Sequence, residues 1–596
     1  MIQTATMPSW LYNAYADEIA QVGPDSPNGY AGKYAAFGGR RQYSFNSEVY
    51  RKYANRVVKQ LADRYASRTD LIHSWQVDNE LGHEGSDLDF SQMALEAWRV
   101  WLKEKYDADI DDLNSQWGTI FWGANYGSFE EISLPSYTIP GASAAMGGFR
   151  SIVSPGMLLD YRRFRADSIA SFAGDQVRII SEAQEAASIP RSSQEITTNS
   201  PGGVWGKAMN PNLFFNEMLD FVSYDNYPVW GGSLEPEAPS LVAMQLDMVR
   251  CWGRRRPDSN SFGGFTIAEQ LIGAQGHDII GFTPRPDQAV AWSAQTLAHG
   301  ADSLLFFRFR AAAFGQEEFC YGILDQSTPL GTGRKWNEAK KVFSLAREHE
   351  KLWLAPLVAR VAVVYDTDNI FAWQAQPQST AFDFTDEAHR FYHPFWRNGM
   401  SVDVFSSERL VEVPLSNYDV ILLPAPMMLS DSLREELKSF VLDDGGSLWV
   451  GFRADIKVST NSQMRTDPSF LAKLAGVSVT EFESINVGMP ASPLQSASTT
   501  LNDNGTTASG SVWRDGLSII DETCDETESV WDYADDEFFG GLGLSAITRR
   551  QLSNGGEVVY VGTGIDPELL VPLATATLDR QGLSNQCTVD DGVIDP

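Results

Sequence analysis

The chain has 596 residues, 43% of them hydrophobic and 21% charged, too long for one ordinary domain and enough for a barrel plus one or two smaller units. Acidic residues outnumber basic ones 78 to 46, a formal charge of −32, which excludes nucleic acid as a general partner and describes a solvated acidic surface suited to salty surroundings. No run of about 18 apolar residues occurs, so no membrane span is expected.

Four cysteines, Cys251, Cys320, Cys524 and Cys587, are spaced too widely for a disulfide framework or a CxxC metal site. Their use fits a reducing, cytoplasmic compartment. The opening MIQTATMPSW lacks the basic start and long apolar stretch of a signal peptide, although Met1 need not be the natural start.

In chain order, residues 1–350 alternate extended apolar runs with helical patterns, the mark of βα units. Ser47 is a good helix cap. After it Tyr50, Tyr53, Ala54, Val57, Val58, Leu61, Ala62 and Tyr65 recur with a 3.6-residue period, which predicts an amphipathic helix. An apolar run from Leu71 to Val77 ends in Asp78-Asn79-Glu80. Phe221 to Tyr224 leads into Asp225-Asn226-Tyr227-Pro228, Phe265 to Ala268 ends at Glu269, and Ser303 to Phe309 ends at Arg310, with Glu317 in the loop beyond. Polar residues gathered at the C-terminal ends of several strands are how a (β/α)8 barrel builds its active site.

A second unit begins near Leu357. Strand-like Arg360 to Tyr365, a helix around 385–398, strands at 402–405 and 420–423, and a helix from about Ser430 that stops at Gly445-Gly446 before the strand Ser447 to Val450 form a doubly wound α/β pattern. It has no GxGxxG, no P-loop and no nucleophile elbow, so its role is read as architectural. Residues 488–512, rich in Ser, Thr and Gly, read as a long surface loop.

Hydrolysis of a glycosidic bond needs two carboxyl groups, one to protonate the leaving oxygen and one to attack C1 or activate water. Glu80 and Glu269 both follow strand-like segments that a barrel would bring together. The sequence His73-Ser74-Trp75-Gln76-Val77-Asp78-Asn79-Glu80-Leu81-Gly82 resembles the acid/base strand of family-42 glycoside hydrolases, and Ala268-Glu269-Gln270 resembles the family's nucleophile strand. Ala298-His299-Gly300-Ala301-Asp302, Phe306-Phe307-Arg308-Phe309-Arg310, Gly315-Gln316-Glu317 and Gly38-Gly39-Arg40-Arg41 match further family segments in the right order, and the likeness continues through the second unit.

The resemblance implies a retaining, exo-acting β-galactosidase without a cofactor, acting on oligosaccharides as a homotrimer. It assigns Glu80 as acid/base and Glu269 as nucleophile. It places Asn79 on the sugar 2-OH, Tyr227 behind the nucleophile, Arg41 on the sugar and Glu317 on its distal hydroxyls. It implies a carboxylate separation of about 5–5.5 Å and a protonated Glu80 at rest, raised by burial and a neighbouring negative charge. The expected domains are the catalytic barrel over 1–350, a doubly wound trimerisation domain over 357–575, and at 576–596 the start of a small β domain or tail.

Three departures from the family pattern stand out. Ser44 occupies the place of a cysteine that holds structural zinc in many members, and Leu81 to Leu95 contains no cysteine; His83 and Glu84 alone make an incomplete set, so no zinc is expected. The family's pocket Trp falls on His277, and a His that helps Glu317 grip galactose falls on Cys320. A thiol bonds hydroxyls weakly and leaves room, which raises the alternative of a modified substrate such as a sulfated galactan oligosaccharide, provided a local Arg offsets Glu317. Finally, Thr4 to Leu11 resembles the segment after the third barrel strand, so about two N-terminal strands are expected to be missing. That keeps open a reading from another class, an inactive fragment or non-catalytic carbohydrate-binding protein.

Overall fold

The computed structural model describes residues 7–23, 34–83, 85–135, 154–201, 208–215, 218–253, 262–463, 469–486, 499–503, 505–520, 526–534 and 538–583. Glu84, Cys524, Cys587 and residues 584–596 of the expected terminal unit lie outside them.

The first domain alternates strand and helix as its pattern predicts. Ser47 caps the helix Glu48–Tyr65, its side chain accepting the Tyr50 N–H at 3.0 Å, and the helix buries Tyr50, Val58 and Ala62. The strands are β1 (Ser74–Gln76), β2 (Glu195–Thr197), β3 (Asn199–Ser200), β4 (Ser223–Asn226), β5 (Phe265–Leu271) and β6 (Ala301–Phe307). All pair in parallel, β1 with β2 and then β3-β4-β5-β6. Among the described residues β2 and β3 are halves of one run interrupted at Thr198. Among the described residues the outer edges of β1 and β6 have no strand partner, and Leu305 on β6 is 44% exposed. Helices Pro155–Ala186, Pro239–Trp252, Gln288–Ala298 and Arg334–Glu348 follow β1, β4, β5 and β6, the (β/α)8 order.

In the second domain, β7 (Val361–Tyr365), β8 (Val402–Ser406), β9 (Val420–Leu423), β10 (Ser447–Gly451) and a late strand, Glu557–Val561, run parallel in spatial order β8-β7-β9-β10 and then the late strand. That is the 2-1-3-4-5 order of a doubly wound fold. The helix Asp431–Leu442 starts at Ser430, whose side chain accepts the Leu433 N–H, as expected. Antiparallel strands extend the sheet, among them Thr499–Asp503 and Thr506–Ile519, paired from Asp503↔Thr506 onward. The expected loop over 488–512 is therefore corrected: its described part, from 499, is a hairpin turning at Gly505, where φ is +94°. Buried ion pairs join the domains, with Arg250 of Pro239–Trp252 bound to Asp403 on β8 at 2.8 Å.

Candidate active site

At the C-terminal ends of the barrel strands lies a cavity of about 790 Å3, lined by Arg40, Arg41, Glu80, Tyr227, Trp230, Glu269, His277 and Glu317 among others. The chain turns sharply after β1. Asp78 and Glu80 both adopt left-handed backbone, φ +54° and +45°, which costs energy in a non-glycine residue and is retained where the surroundings enforce it. The Asp78 carboxylate steadies the turn by accepting the Asn79 N–H at 2.8 Å.

The enforcing group is Asn199, on β3 and fully buried. Its Oδ1 accepts from the Glu80 N–H at 3.0 Å and from Gln76 Nε2 at 2.7 Å. Its Nδ2 donates to Asn79 Oδ1 at 2.9 Å and to Asp225 Oδ2 at 2.6 Å. Asn79 in turn donates its amide to Glu80 Oε2 at 3.1 Å. A buried network of this kind, centred on an Asn199 amide with both ends engaged, fixes geometry more firmly than any one of its bonds.

Across the gap, Glu269 on β5 accepts a 2.5 Å hydrogen bond from the Tyr227 hydroxyl. One carboxylate oxygen each of Glu80, Asp225 and Glu269 lies within 4.8 Å of the others. Such closeness suits direct attack by a carboxylate; an inverting pair stands about 6.5–9.5 Å apart to admit a water.

Burial, then the charge of Glu80, raise Glu269 to about 7 against the opposing Tyr227 bond. Arg40 Nη2 lies 3.2 Å and Arg41 Nη2 3.9 Å from Glu80 Oε2.

Arg41, buried in the cavity lining, donates to the Asn79 carbonyl, while Arg40, part-exposed, reaches both Glu80 and, at 4.0 Å, Glu317. Glu317 also pairs with Arg308. His277 stands at the rim, edge-on to Trp230 at 5.8 Å, and Trp230 packs edge-on to Tyr227 at 4.9 Å. Cys320 is fully buried, its thiol faces the Gly276 carbonyl at 3.6 Å, and it is not among the residues lining the cavity.

Ser44 is equally committed elsewhere. Its hydroxyl donates to Asp89 Oδ2 at 2.5 Å, and the same oxygen accepts from Ser91 Oγ at 3.1 Å. Ser44, Asp89 and Ser91 are thus engaged with one another.

Sequence reasoning missed Asn199, Arg308, Trp230 and the parts of Arg40 and Asp225. For Asp225 a signal existed: it shares a strand face with Tyr227 by the two-residue period, and so points into the same barrel mouth. Asn199 gave none, since a polar residue in a short strand reads as an edge or a cap.

Comparison with known proteins agrees with this geometry. A family described as "Beta-galactosidase" matches residues 2–348, and one described as "Beta-galactosidase trimerisation domain" matches 359–584. A β-galactosidase of Clostridium cellulovorans is 30% identical over 97% of this chain and 79% of its own length. Among solved structures, a β-galactosidase from Bacillus circulans sp. alkalophilus superimposes with a TM-score of 0.82 at 26% identity, covering 99% of this chain and 79% of that one. The corresponding enzyme of the Antarctic haloarchaeon Halorubrum lacusprofundi gives 0.80 at 28%, over 99% and 80%.

Proposed function

The chain belongs to the β-galactosidases of glycoside hydrolase family 42, and from that membership we propose that it removes terminal β-D-galactose from oligosaccharides by double displacement, with Glu269 as nucleophile and Glu80 as acid/base. Glu269 attacks C1 while Glu80 protonates the departing oxygen. Glu80 then takes a proton from water, which attacks C1 and releases Glu269 with net retention. The observation that carries this reading is the close approach of the two carboxylates across the cavity, with the Tyr227 hydroxyl on Glu269. That bond favours the ionised nucleophile. Asn79, anchored by Asn199, is set beside Glu80 to meet the sugar 2-OH. Arg40, Arg41 and Glu317 supply polar grips, and Tyr227 and Trp230 a hydrophobic wall.

The alternative of a sulfated galactoside gains one observation and loses one. Arg40 and Arg308 at Glu317 are the local cations an anionic substituent would require. Cys320, however, is not among the residues lining the cavity, which favours the plain β-galactoside. The non-catalytic reading is opposed by an intact carboxylate pair held by an ordered network.

Residues 357–575 are proposed to assemble three chains around a shared channel, as the name of the matching family suggests. No helix among the described residues is long and apolar enough to cross a membrane. Buried, unbridged Cys251 and Cys320 support a cytoplasmic placement.

The test is chemical rescue. Glu80→Ala should regain turnover of an activated aryl β-galactoside on adding azide, because such a leaving group needs no proton and azide replaces the activated water. Glu269→Gln should stay inactive under the same conditions. Rescue of the second variant instead of the first would reverse the assigned roles.

A further inference from the structure

The two carboxylates of the proposed mechanism have a third beside them. Asp225 ends β4, is fully buried, and lies within 4.8 Å of both Glu80 and Glu269, oxygen to oxygen. Its two oxygens have different surroundings. Oδ2 accepts the Asn199 amide at 2.6 Å, whereas Oδ1 is buried and meets no hydrogen-bond donor. An ionised carboxylate seeks several donors, and a bare buried anionic oxygen is among the costliest groups a fold can hold.

The charged and titratable neighbours make ionisation harder still. Glu80 faces Asp225 from the turn after β1 and Glu269 from β5, both of them acids. Tyr224 and Tyr227 come from its own strand segment, and Asn199 on β3 is neutral. The cations of the site, Arg40 and Arg41, are paired with Glu80. A proton on Oδ1 resolves both problems at once, removing the third negative charge and supplying the missing donor.

Resting on the glycosidase reading above, we propose that Asp225 is a neutral carboxylic acid, a positioning residue whose Oδ1–H points into the gap between Glu80 and Glu269 while Asn199 holds its other oxygen. The proton stays on Asp225 throughout the cycle. Burial, with the charges of Glu269 and Glu80, pushes its pKa well above the carboxylate range, in keeping with this state. A neutral donor beside an ionised carboxylate favours the ionised form, so Asp225 keeps the acidic limb of activity lower than it would otherwise lie.

Two substitutions test this. Asp225→Asn replaces the O–H by an N–H and leaves an oxygen for Asn199, so the acidic limb of the kcat/KM–pH profile should stay in place. Asp225→Ala removes the donor and should move that limb up by about one pH unit. If Asp225 is instead ionised, Asp225→Asn deletes a negative charge beside the pair and moves the limb down, which overturns the proposal. An Asp225→Ala limb that does not move overturns it too.

Difference infrared spectroscopy of the whole protein at about pH 9, above the range where Glu269 titrates, needs no turnover. A protonated-carboxyl C=O stretch should be present in the wild type and lost in Asp225→Asn. If the wild type lacks that band the proposal fails whatever the kinetics. If the band is there but the protein hydrolyses no galactoside, the glycosidase reading fails while the neutral Asp225 stands.

Discussion

Tyr227→Phe removes one atom from the site and isolates a single interaction. The lost hydroxyl donates at 2.5 Å to Glu269, while the ring contacts with Trp230 at 4.9 Å and Phe307 at 6.2 Å remain. Glu269 stands at about 7 with that bond opposing its burial. A hydrogen bond to a charged partner contributes about 1.5–3 kcal/mol, which at about 1.4 kcal/mol per pH unit moves the group's titration up by roughly one to two units. The ionised fraction of the nucleophile at neutral pH then falls from about a half to between about a tenth and a hundredth. kcat/KM on an aryl β-galactoside should therefore drop about five- to fiftyfold at pH 7 and recover towards wild type near pH 9. The assay is a kcat/KM profile across that range, which reports the free enzyme. A loss equal at every pH, with the limb unmoved, would refute the reasoning and leave Tyr227 as a packing residue.

The same carboxyl predicts a stability effect. Its folded pKa of about 7 lies above the ordinary 4.5, so the proton's contribution to stability is full below about pH 4.5 and lost as pH rises through about 7. Glu269→Gln, which does not titrate, should melt above wild type at pH 8, by no more than about 3 kcal/mol, and match it near pH 4.5, as thermal denaturation will show. Cys320→His should lower the melting temperature, at about 1–3 kcal/mol for a larger ring in a fully buried site, without raising activity on plain galactosides; a gain in kcat/KM would place the residue in the sugar site after all. Purified protein should hold no stoichiometric zinc, and a chelator should leave its melting temperature unchanged, since Ser44 and Asp89 are bound to each other. One tightly held equivalent by elemental analysis would overturn that. Light scattering at micromolar concentration should give the mass of three chains, and a stable monomer would contradict the assembly.

Much of this was legible in the sequence because local signals agreed with the global fold. Ser47 and Ser430 cap the helices their positions announced, and the apolar runs that end at Glu80, Tyr227 and Glu269 converge as strands of one barrel. The misses have particular causes. The Thr-rich segments on either side of Gly505 look like a polar loop by composition, yet their β-branched residues and left-handed glycine are the signals of a hairpin. Residue counting alone cannot tell whether the side chain of Cys320 faces the cavity or the Gly276 carbonyl, which its thiol meets in the fold. The raised pKa values of Glu269 and Asp225 were out of reach because they depend on burial and on the charges that the fold brings beside them.

The most direct test of a retaining mechanism on Glu80 and Glu269 is the configuration of the first product. Hydrolysis of an aryl β-D-galactoside followed by proton NMR from the earliest turnovers, before mutarotation, should show β-galactose appearing first and the α anomer only later. Initial release of α-galactose would mean inversion through a positioned water, and would contradict both the nucleophilic role of Glu269 and the reading of the close carboxylate pair.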